Sequence, residues 1–225
     1  IQNTRNIEIH GLRITGARNG VALQNVSDVV LEGLESFSNS SNGVWVTGSG
    51  GVQIRHARLW NNIHYGYFST GSKGSEMVSG STLWGNKRAA VSFDEGLSVS
   101  NSILGVTNDV PIYIEASRGK MQGDYNLYGV GPAGEIGTNA LEKTVYTKVS
   151  EWQAGYRDLH SFVHNPLFVD STSGNFHLQS RAGYWSNGTW PLSANTSWAI
   201  DAGDPGSTAH TNEPAPNGVR LNLGA

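Results

Sequence analysis

The stretch that decides the fold is Gly43–Ser69, which reads GVWVTGSGGVQIRHARLWNNIHYGYFS. Gly43 returns as Gly66 after 23 residues, and the alternating segment Val44-Trp45-Val46 returns as Tyr67-Phe68-Ser69. Alternation with a period of two indicates a β-strand. Two more short apolar segments lie between these copies, separated by Gly, Asn or Ser. One repeat of 23 residues therefore predicts three short strands.

The same spacing continues on both sides of this stretch. The glycine position recurs at Gly20, Gly43, Gly66 and Ala90. Two apolar rows keep this register, namely Val21, Val44, Tyr67, Val91 and Ile112, and Leu23, Val46, Ser69, Phe93 and Ile114. A third apolar row is predicted at Ile9, Leu31, Ile54, Met77 and Val99, and an asparagine row for the turns at Asn39, Asn62 and Asn86.

A repeat of 22–24 residues with three strands predicts an all-β right-handed parallel β-helix, closed by an irregular C-terminal cap. Like positions then stack in adjacent coils about 4.8 Å apart, so apolar rows fill a tubular core. Leucine-rich repeats share this period, but their Leu-x-x-Leu-x-Leu pattern is missing. We divide the one structural domain into coils at 1–129, a loop and short-helix excursion at 130–165, and closing coils with a cap at 166–225.

Composition excludes several classes of protein. Hydrophobic residues make up 37% and charged residues 15% of the 225 residues, with 29 Gly, which does not suit a helical bundle. The sequence pI near 6.2 and the lack of a basic cluster argue against a nucleic-acid partner. No apolar run approaches the roughly 18 residues of a membrane span. The chain has no Cys, which excludes disulfides and thiolate metal sites.

The chain resembles a known family over essentially its whole length, through generic coils first and then a more characteristic tail. The residues that carry the resemblance are Asp124-Tyr125-Asn126-Leu127-Tyr128, Asp158-Leu159-His160-Ser161, Asn165-Pro166-Leu167-Phe168-Val169-Asp170, Gly174-Asn175-Phe176-His177-Leu178 and Ala199-Ile200-Asp201-Ala202-Gly203-Asp204-Pro205. They are similar to the closing section of large bacterial right-handed parallel β-helix repeat proteins.

The resemblance implies a secreted or cell-surface protein associated with polysaccharide, since many members are lyases, glycoside hydrolases, epimerases or surface proteins. The matched residues look structural, so no catalytic residue is carried over from the family. Because the chain begins at Ile1 without an initiator Met, we interpret it as a piece of a longer polypeptide. The remainder of that polypeptide, N-terminal to Ile1, is therefore an expected partner.

An aromatic row is the first candidate binding site. Trp45, Phe68 and Tyr113 follow the inward row by one residue, so their side chains should point outward on one face. Aromatic rings pack against the C–H faces of sugars, which makes this row a candidate platform for polysaccharide. Packing under a loop or a neighbouring domain is the alternative.

Two candidate catalytic groups flank this row. Asp94 and Glu115 fall at the same position in adjacent coils, and carboxylates about 5 Å apart suit a retaining glycosidase. They could instead bind Ca²⁺, the one cofactor the sequence suggests, or lie at a solvated turn. His64, Lys87 and Arg88 form a cationic row that could supply the base and cation of a uronic-acid lyase, or only solvate the turns.

The sequence thus leaves two functions open. The first is a carbohydrate-active β-helix domain that binds, and as a lyase or glycoside hydrolase cleaves, an extracellular polysaccharide. The second is a non-catalytic structural or adhesive module of a larger surface protein.

Overall fold

Three parallel β-sheets dominate the computed structural model, and they run the length of the repeats as a solenoid of about five turns. The structure describes residues 1–73, 75–115, 121–129, 134–156, 158–186, 188–208, 211, 213, 218 and 220–224. Each coil contributes one strand to each sheet, so strands three apart in sequence are neighbours in space. The predicted all-β parallel solenoid is confirmed.

The strands are numbered in chain order. Sheet 1 contains β1 (Arg5–His10), β4 (Ser27–Glu32), β7 (Gly50–Arg55), β10 (Glu76–Ser79), β13 (Leu97–Ser100) and β16 (Met121–Asp124). Sheet 2 contains β2 (Arg13–Thr15), β5 (Glu35–Phe37), β8 (Arg58–Trp60), β11 (Thr82–Asn86), β14 (Ile103–Val106), β17 (Leu127–Gly129) and β20 (Phe162–Val163). Sheet 3 contains β3 (Val21–Gln24), β6 (Val44–Thr47), β9 (Tyr67–Thr70), β12 (Ala89–Phe93), β15 (Val110–Ile114), β18 (Gly137–Asn139) and the antiparallel β19 (Thr144–Tyr146).

The remaining elements close the solenoid. They are the helix α1 (Val149–Tyr156) and the antiparallel hairpin of β21 (Phe168–Asp170) and β22 (Asn175–Leu178). Trp152 of α1 is fully buried and packs within the main core, where its ring contacts Tyr128 at a centroid distance of 6.2 Å. The predicted excursion at 130–165 includes residues 130–133 and 157, which lie outside the described part of the chain.

The inward rows of sheet 3 have the predicted register. Val21 pairs with Val44, Val44 with Tyr67, and Tyr67 with Val91. Their side chains are buried, as are those of the parallel row two residues later. Burial of such rows along the tube supplies the main stabilisation of the fold, at about 25 cal/mol for each Å² of apolar surface removed from water.

One predicted row is wrong by one residue. Val78, not Met77, pairs with Ile54 on one side and Val99 on the other. The connection from β9 to β10 contains one extra residue, so this coil is 24 residues long between Ile54 and Val78. The shift turns Met77 away from the core and brings Glu76 into it, since Glu76 is only 2% exposed.

Two buried carboxyl groups are held by hydroxyl donors inside the tube. Glu76 accepts hydrogen bonds from the Tyr67 hydroxyl at 2.8 Å and from the Ser69 hydroxyl at 2.9 Å. Asp158, below the last coil, accepts hydrogen bonds from the Tyr128 hydroxyl and from Trp152 Nε1. Burial raises the pKa of both carboxyls, and the hydroxyl donors oppose that rise.

An asparagine ladder lines the turn between sheets 2 and 3. Asn39 Nδ2 donates to Asn62 Oδ1 at 2.9 Å, and Asn62 Nδ2 donates to Asn86 Oδ1 at 2.9 Å. All three side chains are fully buried. The predicted row is therefore a stack of amide groups that satisfy one another and the backbone N–H groups of the turn.

The tail covers the aromatic residues of sheet 2. Phe176 contacts Trp60 edge-on with ring centroids 5.8 Å apart, and Phe168 contacts Trp84 in the same way at 5.1 Å. Gly174 lies so close to Trp60 that a Cβ would come within 2.6 Å of its ring, at a positive φ of 81°. The aromatic residues of this face are thus part of an internal interface.

In the described part of the chain, no helix is long and apolar enough to cross a membrane.

Candidate functional site on sheet 3

The outward row of sheet 3 carries the predicted aromatic residues. Trp45 pairs with Phe68, Phe68 with Ser92, and Ser92 with Tyr113. Their inward neighbours are buried, whereas Trp45, Phe68 and Tyr113 each keep part of their surface in solvent. Alternation along the strands therefore places three rings on one side of the solenoid, with a gap at the buried Ser92.

Tyr65 adds a fourth ring that sequence reasoning missed. Its ring stacks on Phe68 with centroids 5.1 Å apart and planes 20° apart. Tyr65 occupies the position in the next coil that is equivalent to Asn19 and Asn42. Asn42 Nδ2 donates to Asn19 Oδ1 at 3.0 Å, which makes a second amide ladder, and the Tyr65 N–H donates to Asn42 Oδ1 at 3.3 Å. The sequence signal that could have identified Tyr65 is the aromatic residue at a position where the two preceding coils have asparagine. We call Trp45, Tyr65, Phe68 and Tyr113 the aromatic face.

The cationic row lies in the turn before sheet 3. The His64 N–H donates to the Ser41 carbonyl and the Arg88 N–H to the His64 carbonyl, both at 2.9 Å. His64 Nδ1 also lies 3.2 Å from the Ser41 hydroxyl. His64 and Arg88 therefore stack in adjacent coils. Lys87 is exposed and bonds through its N–H to the Asn62 carbonyl, which places it beside this stack.

Arg88 connects the cationic row to the aromatic face. Its pKa is raised chiefly by a side-chain hydrogen bond with Tyr65, and the charge of Asp109 in the next coil adds to the rise. Tyr113 also lies close enough to contribute. An exposed guanidinium thus stands close to the Tyr65 hydroxyl at the edge of the rings. Asp109 was not singled out from the sequence, because nothing in the turn pattern distinguishes it.

The two predicted acids bind different partners. Asp94 Oδ2 accepts hydrogen bonds from the Gly71 N–H at 2.6 Å and the Thr70 hydroxyl at 3.1 Å, so it fixes the turn after β9. Glu115 Oε1 accepts a hydrogen bond from the Ser92 hydroxyl at 2.9 Å. Glu115 therefore reaches the aromatic face at its gap, whereas Asp94 is used by the backbone of the preceding coil.

A shallow depression extends the aromatic face at its N-terminal end. Arg18, Asn19, Ser41, Asn42 and Trp45 line it. Its volume of about 260 Å³ lies below the roughly 300–1,000 Å³ of enclosed ligand pockets. The geometry suits an extended ligand lying on an open surface better than a small molecule enclosed on all sides.

The basic and acidic side chains lie at opposite edges of the aromatic face. His64 and Arg88 precede the strands, and Glu115 follows them. The strands between are four or five residues long, which separates the two edges by about 20 Å when residues 88–94 are counted as extended. Among the described residues, no group of three or more His, Cys, Asp or Glu side chains could hold a metal ion.

Three parallel sheets wound around one apolar core, with one strand of each sheet per coil, define a β-helix. The chain belongs to the right-handed beta helix family, whose model, described as "Right handed beta helix region", matches residues 1–127. Neither a curated protein nor a solved structure matches the chain.

Proposed function

We propose that this chain is a carbohydrate-active β-helix domain that binds an extracellular polysaccharide along the aromatic face. The observation that carries the proposal is the row of Trp45, Phe68 and Tyr113, which keeps rings in solvent on sheet 3 while the rings of sheet 2 are covered by the tail. Rings that expose apolar surface to water do not stabilise the fold, so a row of them on the surface indicates a binding role.

The spacing of the coils supports a linear polymer as the ligand. Ring positions repeat about every 4.8 Å along the solenoid, so successive sugars of one chain can meet successive coils. Arg88 and His64 lie along one edge of the row, which favours a polysaccharide that bears uronic-acid carboxylates. A polysaccharide partner suits a secreted or cell-surface location, with the rest of a longer polypeptide as a second partner.

Binding is tested by affinity electrophoresis in gels that contain neutral or uronic-acid polysaccharides. We expect Trp45→Ala, Phe68→Ala and Tyr113→Ala, combined, to abolish the retardation seen for the parent protein. Trp198→Ala is the control, because Trp198 is 64% exposed but lies in the tail. Equal retardation of the parent and the triple variant would overturn the proposal, provided that thermal unfolding shows both to be folded.

Cleavage is a second candidate function, and the position of Glu115 favours it. Its carboxylate lies in the row between Phe68 and Tyr113, where it could give or take a proton at a bound sugar. Mass spectrometry of soluble products separates the reaction types, since hydrolysis adds water and elimination leaves an unsaturated end. Glu115→Gln should remove either product without affecting binding.

A non-catalytic structural or adhesive role is the alternative. It is favoured by the different partners of the two acids: Asp94 bonds to Gly71 and Thr70 and Glu115 bonds to Ser92, so the two carboxylates are not held as a catalytic pair. Retention of glycan binding with no released product would support an adhesive module. Loss of both would leave a structural module, in which the solenoid serves as a stalk within a longer surface protein.

A further inference from the structure

A tryptophan hairpin projects from the cap. Ser186 and Thr189 exchange two backbone hydrogen bonds of 3.0 Å, and the Tyr184 N–H donates to the Pro191 carbonyl at 3.1 Å. Gly188, between Ser186 and Thr189, has a positive φ of 84°, a conformation that favours glycine. Trp185 and Trp190 flank this bridged pair, and their rings contact each other.

The two indoles contact each other and are exposed to solvent. Their centroids are 5.9 Å apart and their planes lie at 63°, an edge-to-face contact that favours a single arrangement. Trp185 is 43% exposed and Trp190 is 57% exposed. The protein thus presents two partly exposed indoles in contact with each other, on a backbone joined by hydrogen bonds and remote in sequence from the coils.

The area of this indole pair limits what can bind it. A tryptophan offers at most about 250 Å², whereas a stable protein interface needs about 800 Å² on each partner. The indole pair is therefore too small to be a protein interface by itself, but it is large enough to cover one face of one or two sugar rings.

The charge of the hairpin limits the ligand further. The segment 182–193 contains no Asp, Glu, Lys or Arg. The neighbouring Arg181 lies outside this segment and donates from Nε to the Ala194 carbonyl at 2.7 Å. An anionic ligand would find no counter-charge within this segment, which favours an uncharged partner with polar edges and an apolar face.

We propose that Trp185 and Trp190 form a second glycan site, separate from the aromatic face, that binds one or two neutral pyranose units. The two indoles bracket the apolar face of the sugar, and hydroxyl groups at the rim of the sugar remain in water. Because backbone hydrogen bonds already join the two sides of the hairpin, less conformational freedom is lost when the sugar docks than for two indoles on separate loops. This site therefore binds a neutral glycan even when the aromatic face is removed by substitution.

The test uses the full chain with the aromatic face removed by Trp45→Ala, Phe68→Ala and Tyr113→Ala. Cellohexaose, xylohexaose and mannohexaose are the neutral probes, and a hexagalacturonate is the anionic comparison. Indole N–H signals in ¹H–¹⁵N spectra report each tryptophan, assigned with Trp185→Phe and Trp190→Phe. The buried indole of Trp152 is an internal reference.

We expect at least one neutral hexasaccharide to shift the Trp185 and Trp190 signals, while the hexagalacturonate binds at least tenfold more weakly. Trp190→Ala should weaken the neutral probe at least tenfold, and Trp190→Tyr, which keeps a ring and the hairpin, should retain most of the affinity. Trp198→Ala should have no effect. Unmoved indole signals with all three neutral probes, or undiminished binding by Trp190→Ala, would overturn the proposal.

Discussion

The Glu115 carboxylate accepts a hydrogen bond at 2.9 Å from the hydroxyl of Ser92, which lies in the preceding coil. Ser92 is the small residue in the outward row between Phe68 and Tyr113. A serine at this point leaves room for the carboxylate, where an aromatic residue would instead place a ring between Phe68 and Tyr113. Of the two predicted acids, Glu115 is therefore the one that reaches the gap, whereas Asp94 bonds to the turn of the preceding coil.

This division predicts unequal losses of stability for two conservative substitutions. Asp94→Asn should lower the free energy of unfolding by about 1–2 kcal/mol, because Gly71 and Thr70 lose a charged acceptor. Glu115→Gln should change stability by less than about 0.5 kcal/mol, since Glu115 accepts one hydrogen bond, from Ser92, which the amide oxygen of Gln can still accept. Urea unfolding of both variants measures this. A larger loss for Glu115→Gln would contradict the assignment.

Arg88 should set the preference of the aromatic face for charge. Arg88→Ala is expected to weaken binding of a uronic-acid polysaccharide about tenfold and to leave a neutral one unchanged, because the guanidinium pairs with carboxylates. The effect should shrink as salt is raised from about 0.05 to 0.5 M, since the ion pair is exposed. Lys87→Ala is the matched control, one residue away and equally exposed. Equal losses for the two variants would show a diffuse charge effect instead.

Glu76 predicts a pH dependence of stability with a definite sign. Burial raises its pKa in the folded protein above the value of about 4.3 in the unfolded chain. The folded state therefore binds the proton more tightly, so the stabilising contribution is complete below the unfolded pKa and is lost as pH rises through the folded pKa. Each pKa unit of difference corresponds to about 1.4 kcal/mol.

Glu76→Gln should remove that dependence. A glutamine stays neutral, and the Tyr67 and Ser69 hydroxyls can accept from its amide as well as donate to it. Urea unfolding between pH 4 and 8 should show the variant gaining on the parent as pH rises. Asp158→Asn is a useful second variant, because its carboxyl has the same direction of pKa shift. Parallel curves for the parent and Glu76→Gln would contradict the account.

Substitution of the middle residue of the asparagine ladder should cost more unfolding free energy than substitution at the end of a ladder. Asn62→Ala removes an acceptor for the Asn39 amide and a donor to Asn86, all within the core. The buried groups left without partners should cost about 3 kcal/mol in unfolding free energy. Asn19→Ala, at the half-exposed end of the second ladder, should cost less than about 1 kcal/mol. Similar losses at the two sites, measured by urea unfolding, would contradict a cooperative ladder.

Sequence repeats predicted the register of sheet 3 because a strand that keeps one face buried has little freedom to slip. Once Val44 and Tyr67 point inward, Trp45 and Phe68 must point outward, and His64 and Arg88 must stack in the turn. The repeat could not predict the extra residue before β10. That insertion replaces Met77 by Val78 in the core row, and it buries Glu76.

Side-chain partners in the turns were also beyond the sequence. Asp94 and Glu115 occupy equivalent positions, but each rotates to a different donor, Gly71 for one and Ser92 for the other. Tyr65 replaces a ladder asparagine, so its ring leaves the turn and stacks on Phe68. Such choices depend on local space and hydrogen-bond donors, which a 23-residue period does not specify.

A crystal structure of the protein with a bound oligouronate is the most direct test of the central claim. The account predicts sugar rings stacked on Trp45, Phe68 and Tyr113, with the polymer running along the solenoid axis and a carboxylate at Arg88. An oligosaccharide bound away from sheet 3, or one that crosses the strands without touching these rings, would contradict it.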